Sequence, residues 1–333
     1  MTPAPLTTRA AYVERLGAAT EIRYGDLAIA GPGPTDVLVA VDATVVNPVD
    51  TFVRSGAYPT PVPLPFVIGR DLVGTVVAAG PGAPGFAAGD RVWCNSLGHD
   101  GRQGAAAERA VVPVDRLYRL PDGVPAELAV AVVHPTATAY LALFTHGRLR
   151  PGDTVVVAGA AGNVGSALVV LASTAGARVV ATAAADDEAY CRSLGAAEVL
   201  DYRDERWPER VRALCPDGVD LYLDTYGRND LENAVELLAH RGRVVLLAGL
   251  RTRPVLPAGS LYTRDGAVVG FVISRASTAE LGAAARMINQ LLAAGRLRPR
   301  GTEILSLREA AEAHRRVEAG KLRGTRLVLA PGC

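Results

Sequence analysis

Lysine is nearly absent: Lys321 is the only one among 35 basic residues, and the other 34 are arginine. Neither sign of charge dominates, since 34 acidic residues leave a formal net charge of +1. That balance removes the electrostatic case for a nucleic-acid or anionic-membrane partner. The arginine skew, with abundant Ala, Gly and Pro, reads as the imprint of a GC-rich genome rather than of a binding surface. Aromatic residues make up 5% of a chain that is 49% hydrophobic, so the core is expected to be built from Ala, Val and Leu. Cysteine is scarce too. Cys94, Cys191, Cys215 and Cys333 lie far apart with no CxxC or Cys/His cluster, which argues against a disulfide framework or structural zinc lobe and for a reducing cytoplasm. No uninterrupted apolar run reaches the ~18 residues of a membrane span, and Met1–Tyr12 has no secretory h-region. The expectation is a cytoplasmic protein.

What is present is length and alternation. At 333 residues the chain is long enough for two domains. Its first third reads as short strands punctuated by Gly and Pro, at Val37–Val46, Leu72–Ala79, Asp90–Trp93 and Ala110–Val114, with no long helical period before about Pro125. Tyr58–Pro65, with four prolines, reads as an ordered loop. From Asp153 the pattern changes to strands at Val155–Ala158, Arg178–Thr182, Glu198–Asp201, Asp220–Asp224 and Arg243–Ala248. Between them lie helices over Val164–Ala175, Asp186–Leu194, Glu209–Cys215 and Asp230–His240. Apolar strands alternating with helices predict βαβ units and a parallel, doubly wound sheet, an α/β fold. Val268–Ile273 is a further strand, followed by helices over Thr278–Ala294 and Arg308–Ala319 and a closing strand at Arg326–Leu329. These last elements are placed back on the first third, making that domain discontinuous.

The strongest local signal is the stretch from Val155 to Gly165, a glycine-rich turn between strand and helix. Gly159 and Gly162 let the backbone approach a pyrophosphate at the helix N-terminus, and Gly165 allows close helix–sheet contact. The spacing is GxxGxxG rather than GxGxxG, and a structural turn stays open as the other reading. At the end of the second strand, Thr182 is followed by Ala183, Ala184 and Ala185. The acids Asp186 and Asp187 come only afterwards, where they also suit a helix N-terminus. The choice between NAD and NADP is therefore open.

The chain resembles the zinc-independent quinone oxidoreductases, the zeta-crystallin-like group of the medium-chain dehydrogenase/reductase superfamily. The resemblance rests on Asn47-Pro-Val-Asp-Thr-Phe-Val-Arg-Ser-Gly56, Gly69-Arg-Asp-Leu-Val-Gly74, Gly89-Asp-Arg-Val92 and Thr138-Ala-Tyr140. It continues through the glycine turn, Asp201-Tyr-Arg203, Asp224-Thr-Tyr-Gly227 and Arg241-Gly-Arg-Val244. It implies a GroES-like, partly open β-barrel domain from residues 1–125 and 275–333, with a Rossmann domain over 126–274 and the active cleft between them. It places Asn47, Pro48, Val49, Asp50, Phe52 and Thr138 on the nicotinamide side. Gly159, Gly162, Asn163 and Val164 fall at the pyrophosphate. Thr182, Ala183, Tyr202, Tyr226, Gly249, Leu250, Phe271, Val272 and Ile273 complete the cofactor groove. Tyr202 falls where the family's tyrosine meets the adenosine 2′-phosphate, a half-buried strand-end aromatic being the other reading. Asp187 stands near a position where the family often has lysine, so NADP(H) is expected on family grounds, with arginines such as Arg203 and Arg206 helping, and NAD(H) stays in play.

Zinc alcohol dehydrogenases of the superfamily carry a cysteine ligand in the segment matching Asn47–Asp50 and a Gly-His-Glu where this chain has Gly69-Arg-Asp71. Both ligand types are missing, and catalytic zinc normally needs three protein ligands; no metal site is expected. Without one, hydride transfer to a quinone or to the C=C of an α,β-unsaturated carbonyl is the expected reaction, since the protein then mainly positions groups and stabilises charge. By family position Asn47 and Tyr58 are the candidate donors to a developing oxyanion, with a turn residue before Pro48 as the other reading of Asn47 and a Pro-flanked loop aromatic as that of Tyr58. Phe52, in place of a family tyrosine, and His134 border the substrate, with a structural histidine as the other reading of His134. A tailoring enoyl reductase of one natural-product intermediate and a non-catalytic NADP-binding protein are the alternatives. The resemblance also implies a homodimer paired through the Val268–Ile273 edge.

Overall fold

The computed structural model describes residues 6–332; the expectations for Met1–Pro5 and Cys333 lie outside the described residues. The chain divides into two compact units, Met1–His134 with Leu281–Cys333, and Pro135–Glu280.

In the first unit β1 (Leu6–Val13) and β2 (Arg23–Ile29) form an antiparallel hairpin, from Leu6 opposite Ile29 to Tyr12 opposite Arg23. β3 (Asp36–Val45) is followed by α1 (Pro48–Ser55), β4 (Phe66–Val67), β5 (Asp71–Ala79), β6 (Arg91–Cys94), β7 (Arg109–Pro113) and β8 (Tyr118–Arg119). β3 pairs antiparallel with β5 and β7, its apolar alternation placing Val37, Val39, Ala43 and Val45 inside. The sequence reading lacks α1 as well as the hairpin. The signals of α1 are its ends: Pro48 at the first helical position, Asp50 Oδ2 accepting the Asn47 backbone N–H at 2.7 Å, and Gly56 closing the helix at φ 78°. With eight residues there is no sustained period to read.

α2 (Ala126–Tyr140) carries Pro135 inside it and runs on into a π-helical segment, Leu141–His146. Ala126–His146 is long and apolar enough to cross a membrane despite its polar interruptions; 72% of its most apolar window is buried in the protein, the packing of a core helix.

The second unit continues with β9 (Thr154–Ala158), α3 (Asn163–Thr174), β10 (Arg178–Ala183), α4 (Glu188–Ser193), β11 (Glu198–Asp201), α5 (Trp207–Leu214), β12 (Val219–Asp224), α6 (Leu231–Glu236), β13 (Leu238–Leu246), α7 (Ala258–Thr263) and β14 (Ala267–Gly270). The sheet is parallel throughout, in the order β11-β10-β9-β12-β13-β14. This is the Rossmann order, with its switch point between β9 and β12. Val155–Val157, Val179–Ala181 and Leu221–Leu223 are buried, as strands covered on both faces must be. Two elements differ from expectation. The helix expected over Asp230–His240 stops at Glu236, because Leu238 pairs with Val219 before a register shift brings Arg243 opposite Leu221. The strand expected to reach Ile273 ends at Gly270, and Ile273–Arg275 turns as a 3₁₀ helix.

The chain then adds α8 (Thr278–Ala293), β15 (Gly301–Ser306), α9 (Ala310–Glu318) and β16 (Thr325–Ala330). β16 pairs parallel with β15 and antiparallel with β3, Val328 opposite Val45, so the C-terminal strands extend the N-terminal sheet. Trp93 Nε1 donates to Asn289 Oδ1 at 2.9 Å, and Asn289 Nδ2 donates to the Arg119 carbonyl at 2.9 Å.

Candidate functional site

In the second unit all six strands end on one edge, and the residues expected at a nucleotide follow those ends: Gly159 after β9, Thr182 and Ala183 closing β10, Tyr202 after β11, Tyr226 after β12, Gly249 and Leu250 after β13, Phe271–Ile273 after β14. The carboxyl edge of a doubly wound sheet is where such folds bind ligands. The turn after β9 is held by backbone hydrogen bonds, with Thr225 Oγ1 also donating to the Gly159 carbonyl at 3.3 Å. Gly159 and Ala160 N–H both donate to the Thr182 carbonyl, at 3.2 and 3.0 Å, and Gly162 N–H donates to the Gly159 carbonyl at 3.0 Å. Gly162 is the N-cap of α3, and no acidic residue stands in its first turn. A Cβ on Gly165 would lie 2.1 Å from the Gly159 carbonyl oxygen, and one on Gly159 2.7 Å from Thr225 Oγ1. A bare backbone cradle at a helix N-terminus fits a pyrophosphate. Thr182 and Ala183 side chains are buried, so β10 offers this turn its carbonyl rather than a side chain.

Two residues absent from the sequence-derived site shape the next loop. Asp224, buried, accepts from the N–H of Tyr226 at 2.9 Å, Gly227 at 2.8 Å and Asn229 at 2.7 Å, while Thr225 Oγ1 donates to the Ala158 carbonyl at 2.7 Å. Tyr226 is thereby presented outward, 68% exposed, and stacks on Tyr202 with ring centroids 6.4 Å apart. The Arg203 guanidinium lies 5.5 Å from the centre of the Tyr202 ring. The hydroxyl of Tyr202 chiefly, and Asp201 and Asp186 after it, hold Arg203 firmly in its charged form. At the far end of the π-helical segment, His146 stacks on Phe271 at 4.4 Å. Leu250 and Val272 are exposed and Ile273 is buried.

The first unit gathers charge where the sequence pattern is apolar. Asp71, fully buried at the start of β5, accepts from His134 Nδ1 at 3.0 Å through Oδ1 and from Asn47 Nδ2 at 2.6 Å through Oδ2. Asn47 Nδ2 also reaches Asp50 Oδ2 at 3.3 Å, and Asn47 Oδ1 accepts from Arg326 Nη2 at 2.6 Å. Arg70 Nε stands 3.9 Å from Asp50 Oδ1. Two carboxylates thus face two guanidinium groups, all four residues no more than 5% exposed. Burial first, and the neighbouring Asp71 charge second, push the Asp50 carboxyl up to about 6, against the pull of Arg70; burial lowers both arginines.

Asn47 directs its amide hydrogens at carboxylates and its oxygen at Arg326, and Asp50 is turned into the same network. Arg70, Asp71 and Arg326 are the residues that sequence reasoning missed as a group; the signal was a charged pair opening the apolar run Leu72–Val76 and an arginine in the apolar strand Arg326–Leu329. Phe52 projects from α1, 41% exposed, with Pro48 exposed beside it, Val49 half-buried and Thr138 half-buried on α2. Tyr58 is half-buried, its N–H donating to the Phe52 carbonyl at 3.0 Å. Cys94, Cys191 and Cys215 are buried thiols outside any disulfide. Among the described residues no group of three or more His, Cys, Asp or Glu is arranged to hold a metal ion.

Residues 33–122 match the family model described as alcohol dehydrogenase GroES-like domain, and residues 163–290 that described as zinc-binding dehydrogenase. The mouse quinone oxidoreductase is 30% identical over 308 residues, covering 91% of this chain and 92% of its own. Among solved structures, an NAD-dependent alcohol dehydrogenase matches with a TM-score of 0.85 and 32% identity over 97% of this chain and 99% of its own. A mycobacterial protein in complex with NADPH matches with a TM-score of 0.82 and 30% identity over 97% and 100%. The chain therefore belongs to the medium-chain dehydrogenase/reductase superfamily, as a quinone-oxidoreductase-like oxidoreductase that joins a GroES-like domain to a pyridine-nucleotide-binding Rossmann domain.

Proposed function

We propose that this protein is a zinc-independent reductase that prefers NADPH and delivers hydride to a quinone or to the β-carbon of an α,β-unsaturated carbonyl. The observation that carries this reading is the buried ionic network of the first unit. The residues standing where zinc alcohol dehydrogenases bring their ligands, Asp50 beside Asn47 and Arg70 beside Asp71, are engaged with one another and with Arg326 and His134. Such a donor set fits no tetrahedral site of free thiolate, imidazole and carboxylate. When bound, a reduced nicotinamide supplies the hydride and its electron pair. The chain's own work is positioning and charge stabilisation: the glycine turn and the first amides of α3 hold the pyrophosphate, and the Tyr202–Tyr226 pair flanks the adenosine. Tyr58 and the apolar Phe52 face the substrate, favouring apolar quinones and enones.

NADPH is supported by Arg203. It supplies the positive charge that Asp187 does not, on the strand end beside β10. Titration of NADPH and NADH with 9,10-phenanthrenequinone, 1,4-benzoquinone and a simple enone tests the reading. Arg203→Ala is expected to raise the KM for NADPH about tenfold, as one charge-assisted bond to phosphate, and to leave that for NADH nearly constant. An unchanged NADPH-to-NADH ratio would strike out Arg203, and tight nucleotide binding without turnover of any acceptor would favour a binding protein. A homodimer paired through β14, the outer strand of its sheet, belongs to the same proposal; light scattering at micromolar concentration showing a monomer would remove it.

A further inference from the structure

The loops after β12 and β13 meet at Asn229. Its backbone is left-handed, at φ 54°, a conformation that Asn adopts more readily than most residues but still at a cost. Its N–H donates to Asp224 Oδ2 at 2.7 Å. The buried side chain reaches the next loop, Nδ2 donating to the Ala248 carbonyl at 3.2 Å and to Thr252 Oγ1. A carbonyl only accepts, so the amide nitrogen has to face it. Asn229 Oδ1 is buried with no hydrogen-bond partner among the described residues, a second cost. Thr252 closes on Gly249, its N–H and Oγ1 donating to the Gly249 carbonyl at 2.9 and 2.8 Å. Where the two loops touch, the contact is bare backbone: a Cβ on Gly249 would stand 2.3 Å from Asn229 Nδ2, and one on Gly227 2.7 Å from the Gly249 nitrogen. The turn held in this way presents Leu250, 59% exposed. Thr225 Oγ1, donating to the Ala158 carbonyl at 2.7 Å, joins the same assembly to the glycine turn after β9.

We infer that Asn229 is a positioning residue for the nicotinamide half of the bound nucleotide. A dinucleotide lies across the switch point of a doubly wound sheet, one half on each side. The side of β9, β10 and β11 carries the glycine turn and the second strand, whose end meets the adenosine ribose, so the side of β12, β13 and β14 takes the nicotinamide riboside. Asn229 is 5% exposed and acts through the loops it joins. By bolting the turn from Gly249 to Thr252 onto the loop after β12, it fixes the surface that this turn offers to the nicotinamide riboside. A left-handed backbone and an orphaned acceptor at one residue mark a site kept for the position it imposes rather than for stability. The role is the same for NADH and for NADPH, and for any hydride acceptor.

The test compares, in the full-length protein, the affinity for a dinucleotide with that for its adenosine half alone. NADH is set against ADP, and NADPH against ADP carrying a 2′-phosphate, all by titration calorimetry. Asn229→Gly keeps the left-handed backbone without strain and deletes the side chain that latches the loops. It is expected to weaken the dinucleotide about tenfold, through the loss of two hydrogen bonds, and the adenosine half by about twofold at most. Thr252→Val removes the hydroxyl between Asn229 and Gly249 and is expected to show the same split at about fivefold, while Thr252→Ser, which keeps that hydroxyl, matches wild type. Equal losses for the dinucleotide and its adenosine half would make Asn229 a merely structural residue and overturn the inference. Dinucleotide affinity within about threefold of wild type in folded Asn229→Gly would overturn it as well. Should Asn229→Gly fold poorly, Thr252→Val reads the same latch from its exposed end, and the absence of a split there refutes the role.

Discussion

Truncating Asn47 to alanine separates a positioning role from a catalytic one. The variant keeps the backbone N–H that Asp50 accepts, but it strips Asp71 Oδ2 of its 2.6 Å donor and Arg326 Nη2 of its 2.6 Å acceptor. Both abandoned groups are charged and buried. At roughly 1.5 kcal/mol or more for each charge-assisted bond, the first unit should lose about 3 kcal/mol. The chain has two tryptophans, Trp93 in the first unit and Trp207 in the second, so urea unfolding followed by fluorescence in a Trp207→Phe background reports the first unit alone. Asn47→Asp should destabilise further, since it brings a third carboxylate within hydrogen-bond distance of two others. A loss below about 1 kcal/mol combined with collapsed enone turnover would refute this reasoning and return Asn47 to the role of direct donor.

Gly165→Ala places a methyl 2.1 Å from the Gly159 carbonyl oxygen; overpacking of this kind costs about 1–3 kcal/mol, and nucleotide affinity measured by fluorescence titration should fall at least tenfold as the turn leaves α3. Wild-type affinity in that variant would detach the turn from binding. His314, buried on α9, has its imidazole pushed down to about 3 by burial and, after it, by Arg54. The unfolded chain takes up a proton near pH 6.5 that the folded one refuses, so this group's contribution to stability falls as pH drops from about 6.5 towards 3. His314→Gln should flatten that fall in the Trp93 unfolding midpoint. Asp50, with its carboxyl at about 6, has the opposite sign, its contribution falling as pH rises from about 4 to 6. The comparison of His314→Gln with wild type cancels it.

Much of the nucleotide half was legible because its information is local. Buried parallel strands read as unbroken runs such as Val155–Val157, and Gly159, Gly162 and Gly165 announce a turn whose backbone must approach something closely. The hairpin of β1 and β2, and β15, were not legible. β2 and β15 are mostly half-buried or exposed and β1 buries mainly small residues, Thr8, Ala10, Ala11 and Val13, so their strand character comes from partners that no local window contains. α1 was hidden differently: its caps, Asn47, Asp50 and Gly56, were quoted as a motif without being read as helix ends.

By itself the sequence determined the kind of protein: a low-aromatic, charge-balanced chain with a doubly wound sheet, a glycine cradle for a dinucleotide, and neither a cysteine at Asn47–Asp50 nor a histidine at Arg70 to bind zinc. The tertiary structure decided which charges meet. Asn47 and Arg326 are 279 residues apart and hydrogen-bonded only because β16 pairs with β3. His134 reaches Asp71 across 63 residues. Periodicity specifies which face of an element is buried, but the partner found there is set by strand pairing and helix packing. That pairing puts Asn47 at the centre of a buried network that joins Asp71 to Arg326.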